Sequence, residues 1–218
     1  IMSPPGLPTA GFQDTFLRTS GGRIVLPVFI ILSGKKGAGP RDEHVPMSGH
    51  IVNNQWVATA GHFFDSSFCC NYVLYSDDDG ANWQMNSDGP MLIMGDWNSE
   101  YQYSNEASVT EVKPGRLLLM ARNNMGRLFQ AWSDDNGESW TRLQPTSLAA
   151  CTTPPQIRTL PNGHLLCVWN QTSEEETKMG WNRTRISSAV SRDGGRVWEF
   201  FQNVQSMHET TRVEPGPI

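Results

Sequence analysis

The sequence predicts an all-β protein, a β-propeller of four-stranded antiparallel blades, on three observations. The first is composition: 218 residues carry 20 glycines, 14 prolines and eight tryptophans, with only 18% charged residues. That is the make-up of a chain with many turns and many rings to bury. The second is a repeat. Ser-x-Asp-x-Gly-x-x-Trp occurs at Ser76–Trp83, Ser133–Trp140 and Ser191–Trp198, with starts 57 and 58 residues apart. The third is a Gly-led turn before a strand apolar on both faces, seen at Gly22–Val28, Gly115–Ala121 and Gly163–Trp169. Such strands need cover on both sides, as stacked blades provide.

The elements follow in order. Strands are expected at Phe12–Arg18, Ala107–Val112 and Pro155–Leu160, each ahead of its Gly turn and second strand. A third strand leads into each Ser-x-Asp-x-Gly-x-x-Trp turn, and the Trp opens the fourth. The chain then reads as one partial propeller domain over 1–218. Blade one covers about 10–90, blade two about 104–145 and blade three about 152–202, with the start of a further blade at 203–218. Blade one carries an insertion from Ser33 to Asn71, and blade three a shorter one from Gln171 to Asn182, where Glu174-Glu175-Glu176 reads as a solvated loop face. Most propellers close with four to eight blades, so this stretch is expected to be a fragment whose open edges the rest of the propeller, or another chain, covers.

The repeat is a reinforced hairpin turn. Gly80, Gly137 and Gly195 reach positive φ without steric cost, and Asp78, Asp135 and Asp193 accept from turn N–H groups with help from the serines. A calcium loop would need more oxygen ligands and a closing Glu, so no metal is assigned, and no cofactor. Cys69, Cys70, Cys151 and Cys167 lack the spacing of a zinc site and read as free thiols. The sequons at Asn170 and Asn182 matter only in a secreted eukaryotic setting, and the compartment stays open.

Charge narrows the partners. Seventeen basic against 22 acidic residues give a net −5, which argues against nucleic acid. The longest apolar run, Ile24–Leu32, is nine residues with Pro27 inside it, too short for a helical membrane span. No signal peptide is visible.

The three boxes, together with Asn105-Glu106-Ala107 through Gly115-Arg116 to Ala121-Arg122, resemble the sialidase (neuraminidase) superfamily, whose members are six-bladed propellers with Asp boxes, or BNR repeats. The resemblance implies a glycoside hydrolase acting on terminal acidic sugars such as sialic acid. It places the family's catalytic Glu at Glu106, where it would be the base partner of a Tyr nucleophile. A neutral phenol suits that role because a carboxylate nucleophile would be repelled by the substrate's own carboxylate. The resemblance places one carboxylate-clamping Arg at Arg122 and another at Arg183, with Arg185 the alternative of the same side-chain parity. Arg suits a clamp through bidentate, charge-assisted bonds. The family's first Arg and its Asp general acid are expected upstream of Ile1, and its Tyr near or beyond Ile218. Tyr72, Tyr75, Tyr101 and Tyr103 match no nucleophile position, and Tyr75 reads as core. Two other readings stand beside this one: a propeller glycosidase for a different sugar, and a non-catalytic propeller that binds carbohydrate or protein.

Overall fold

The structure is a computed structural model that describes residues 9–11, 16–32, 49–52, 55–58, 68–94, 101–102, 104–123, 125–179, 181 and 183–207. Three antiparallel sheets follow one another along the chain. In the first, β1 (Thr9–Gly11) and β2 (Leu17–Arg18) both pair with β3 (Ile24–Leu32). The insertion holds a hairpin of β4 (Gly49–Val52) and β5 (Gln55–Ala58). Next come β6 (Phe68–Ser76), paired with β3, and β7 (Gln84–Met85), paired with β6. Of the first strand expected at Phe12–Arg18, β2 holds residues 17–18, and residues 12–15 lie outside the described ones. Pro27 lies opposite Val73 of β6, whose N–H donates to Asn86 Oδ1 and whose C=O accepts from Asn86 N–H, so the missing Pro27 N–H removes no bond from that ladder. The insertion is also shorter than read, because Phe68–Asn71 already belongs to β6.

A small ladder of β8 (Ile93–Met94) and β9 (Tyr101–Gln102) leads to the second sheet. It runs β10 (Ser104–Lys113), β11 (Arg116–Asn123), β12 (Arg127–Ser133), β13 (Gln144–Ala149) in spatial order. The third sheet repeats the plan with β14 (Gln156–Thr159), β15 (Leu165–Trp169), β16 (Arg185–Ser191) and β17 (Glu199–Ser206). Residues 203–206, read as the start of a further blade, complete this sheet instead, and 208–218 lie outside the described residues. One helix, α1 (Glu174–Lys178), interrupts the β pattern between β15 and β16.

The two-sided strands do what their composition demands. On β11, Leu117, Leu119 and Ala121 pack with Val25, Val73 and Tyr75 of blade one. The alternate residues Leu118 and Met120 pack with Ile157, Leu165, Cys167 and Trp198 of blade three. Neighbouring inner strands are also stitched by side chains: Thr159 N–H donates to Thr110 Oγ1 at 3.0 Å, and Ile157 N–H to Ser108 Oγ at 3.3 Å.

Each Asp box joins the third and fourth strands of its sheet. In box two, Ser133 Oγ donates to Asp135 Oδ1 at 2.7 Å, while Gly137 N–H donates to Ser133 Oγ and Ser139 N–H to Asp135 Oδ1, both at 2.8 Å. Boxes one and three repeat the scheme. The residue before each box glycine is left-handed as well: Asp79 at φ 55, Asn136 at 61 and Gly194 at 76. Asp79 therefore fills a conformational place that Asp, Asn and Gly tolerate best. Antiparallel strands reverse at every turn, so the boxes and the first Gly turns share one end of the sheets. The loops between second and third strands lie at the other end, with the starts of β10 and β14.

Candidate functional site

Glu106 and Arg122 meet at that second end. Asn105 pairs in register with Arg122, and the register then slips before Ser108, leaving Glu106 in a β-bulge at φ 42. A bulge re-aims one side chain, and a left-handed Glu is a strained residue. Here the bulge delivers the Glu106 carboxylate onto the Arg122 guanidinium, and the two form an ion pair. The pair is enclosed, with Glu106 7% and Arg122 2% exposed. Removing one partner of such a pair strands a buried charge and typically costs about 3–5 kcal/mol. By strand alternation Arg122 continues the row of Leu118 and Met120, the face of β11 turned to blade three.

On the side of blade one lies Cys69. Burial, then the neighbouring Cys70, push its thiol up to about 12, against the opposing pull of Arg122 and of a hydrogen bond with Asn105. This thiol is neither a thiolate nor a nucleophile at neutral pH. All four cysteines are free.

The two arginines of blade three part company. Arg183 precedes β16 in a left-handed conformation, φ 57, is exposed, and donates from Nη2 to Thr152 O at 3.1 Å. Thr152 lies in the segment entering β14, at the same end as the start of β10. Arg185 opens β16, is buried, and pairs with Glu176. The equal parity read from the sequence fails because strand alternation does not run back through a left-handed residue outside the strand. Of Glu174-Glu175-Glu176, read as a solvated loop face, Glu175 is exposed and Glu176 is buried. These residues begin α1, where Ser173 and Glu176 form a capping box, and Glu176 turns inward to Arg185. The signal was present in the sequence as Ser-x-x-Glu ahead of a short helix. Among the described residues, no group of three or more His, Cys, Asp or Glu is placed to hold a metal ion. No helix among them is long and apolar enough to cross a membrane.

Comparison with known proteins bears on the chain as a whole. Residues 41–211 match the BNR repeat-like domain family. The chain belongs to that family, within the sialidase superfamily. It is 27% identical over 157 residues to the anhydrosialidase of Macrobdella decora, across 66% of this chain and 18% of that protein. It is 28% identical over 162 residues to the sialidase of Bacteroides fragilis, across 70% of this chain and 27% of that protein. Among solved structures, the Hadza microbial sialidase Hz136 superposes with a TM-score of 0.56 at 19% identity, covering 88% of this chain and 30% of that one. Trypanosoma rangeli sialidase in complex with the inhibitor DANA gives 0.51 at 18% identity, covering 88% and 24%. These likenesses show the fold: the three sheets are part of a sialidase-like propeller. The chain spans less than a third of each of these four relatives.

Proposed function

We propose that this chain contributes the carboxylate-clamping and base half of a sialidase-type site, in a glycoside hydrolase acting on terminal acidic sugars. One observation carries the reading. Glu106 and Arg183, singled out by motif position, are both non-glycine residues at left-handed φ, and both lie at the end of the sheets opposite the Asp boxes. Backbone strain of this kind clusters at working sites, where the surrounding fold holds a side chain in an otherwise unfavourable aim. Arg122 and Arg183 would bind the sugar carboxylate, and Glu106 would take the proton of a Tyr hydroxyl as its oxygen attacks the anomeric carbon. Arg183 is preferred to Arg185 for its distance to the third Asp box and its bond to Thr152 O, at the end of the sheets where β10 starts. Glu106 neutralises Arg122, so the substrate carboxylate would compete with Glu106 for the guanidinium. No residue of this chain matches the family's general acid, first Arg or nucleophile.

The test is titration of the chain with N-acetylneuraminic acid. Arg122→Lys keeps the charge and loses the bidentate fork, so binding should weaken about tenfold to a hundredfold. Affinity unchanged in both Arg122→Lys and Arg183→Lys would remove the clamp. Sugar binding without turnover in the complete protein would favour the non-catalytic binding propeller.

A further inference from the structure

Two carboxamides beside Glu106 lack the partners that their burial demands. Asn71, in β6, is fully enclosed, yet neither its Nδ2 nor its Oδ1 has a hydrogen-bond partner among the described residues. Asn105 is also buried and leaves Oδ1 bare. Native interiors leave few polar groups in this state, and an apolar side chain of similar size would fill the space without the penalty.

The two amides belong to one seam. Along β6, residues 69, 71, 73 and 75 share a face, and Val73 and Tyr75 place that face against blade two, in the core with Val109 and Leu119. The Cys69 thiol interacts with the Asn105 side chain and feels the charges of Arg122 and Glu106. The Asn71 N–H donates to Ser104 Oγ at 3.4 Å. Asn71 therefore lies against the opening residues of β10, of which Glu106 is the third.

Resting on the reading above, we infer that Asn71, with Asn105, forms a subsite for an uncharged polar substituent of the sugar, a hydroxyl or an acetamido group. The chemistry selects that class. Nδ2 offers donors while the two Oδ1 atoms offer acceptors, so the complement is a group that both donates and accepts. A carboxylate would face two acceptor oxygens, and a methyl would leave all three atoms bare. Neither amide meets bulk solvent, so a group that pairs with them does so out of competition with water. Asn71 is then a specificity-determining residue.

Asn71→Leu separates this from a structural role. The variant should unfold at the same or a higher temperature, since an unpaired amide is removed. Binding of N-acetylneuraminic acid should weaken at least tenfold, while binding of pyruvate, a carboxylate without the ring substituents, should be unchanged. Titration with the analogue bearing a hydroxyl in place of the acetamido group tells which substituent is read, as the one whose affinity falls. A variant that unfolds earlier or does not fold overturns the inference, because the amide would then have been paired. So does equal sugar affinity in Asn71→Leu and the parent, or an equal loss for sugar and pyruvate. If the parent chain binds neither ligand, the carboxylate-clamp reading fails and this inference falls with it. If the parent binds both and only the Asn71 result is negative, the subsite alone is wrong. Asn71→Ser, with the same titrations, decides the matter independently of the leucine's bulk.

Discussion

Asp78, Asp135 and Asp193 each gather a serine hydroxyl and turn N–H groups onto one carboxylate, and that small arrangement has a measurable pH signature. All three are held below the usual carboxylate range. For Asp78 the leading cause is the Asn82 N–H. For Asp135 and Asp193, burial pulls the other way, and the donors from Ser139, or from Val197 and Ser191, outweigh it. A folded-state pKa below the unfolded one means stability that is present above the unfolded pKa and lost as pH falls through the folded one. The thermal midpoint should therefore be flat above about pH 5 and fall below about pH 4. Asp135→Asn keeps the shape and removes the charge. At this exposed carboxylate solvent screening limits the loss to roughly 1 kcal/mol or less at neutral pH, and the acid limb should become shallower. A limb unchanged in the variant would mean that other carboxylates govern acid unfolding.

At the scale of the element, the box turns are joints between sheets as well as hairpins within them. A Cβ on Gly195 would collide with Leu118 Cδ2, in a side chain that is itself fully buried in the neighbouring blade. Trp132 Nε1 also donates to Gly194 O across the same seam at 3.1 Å. Gly115 has a similar positive φ, 79 against 92, but nothing within 4 Å of its would-be Cβ. Gly195→Ala thus meets backbone strain and a clash, and Gly115→Ala meets strain alone. Urea unfolding should show a loss of roughly 1–3 kcal/mol from strain at either position, with Gly195→Ala clearly the worse. Equal losses would mean that the box does not press on Leu118. The helix α1 works in the same way. Its capping box sets the orientation of Glu176, and Glu176 holds Arg185.

Across the whole molecule, blade two is the shared layer. Its strand β11 sends one face into the core with blade one and the other into the core with blade three. Shared cores make separate blades unfold together. Leu118→Ala should cost about 2–5 kcal/mol, and the tryptophan fluorescence and far-ultraviolet circular dichroism transitions should shift together. Two separated transitions in the variant would show that blade three folds independently of blade two.

The features legible before any folding are those written within a few residues of one another. The Ser, Asp, Gly and Trp of each box satisfy one another across a single turn, so three copies at constant spacing specified the hairpins, and with the two-faced strands they specified stacked blades. Glu106 and Arg122 are marked only by resemblance to the sialidase pattern of a Glu, a strand, a Gly turn, a second strand and an Arg. Tertiary structure alone decided how those residues are used. The bulge that turns Glu106 onto Arg122 is a slip between two strands, invisible to periodicity. The commitment of Arg185 to Glu176 depends on where a short inserted helix lands. The unpaired amides of Asn71 and Asn105 exist only because two blades close over them, since an amide becomes unpaired only when burial removes water and nothing replaces it.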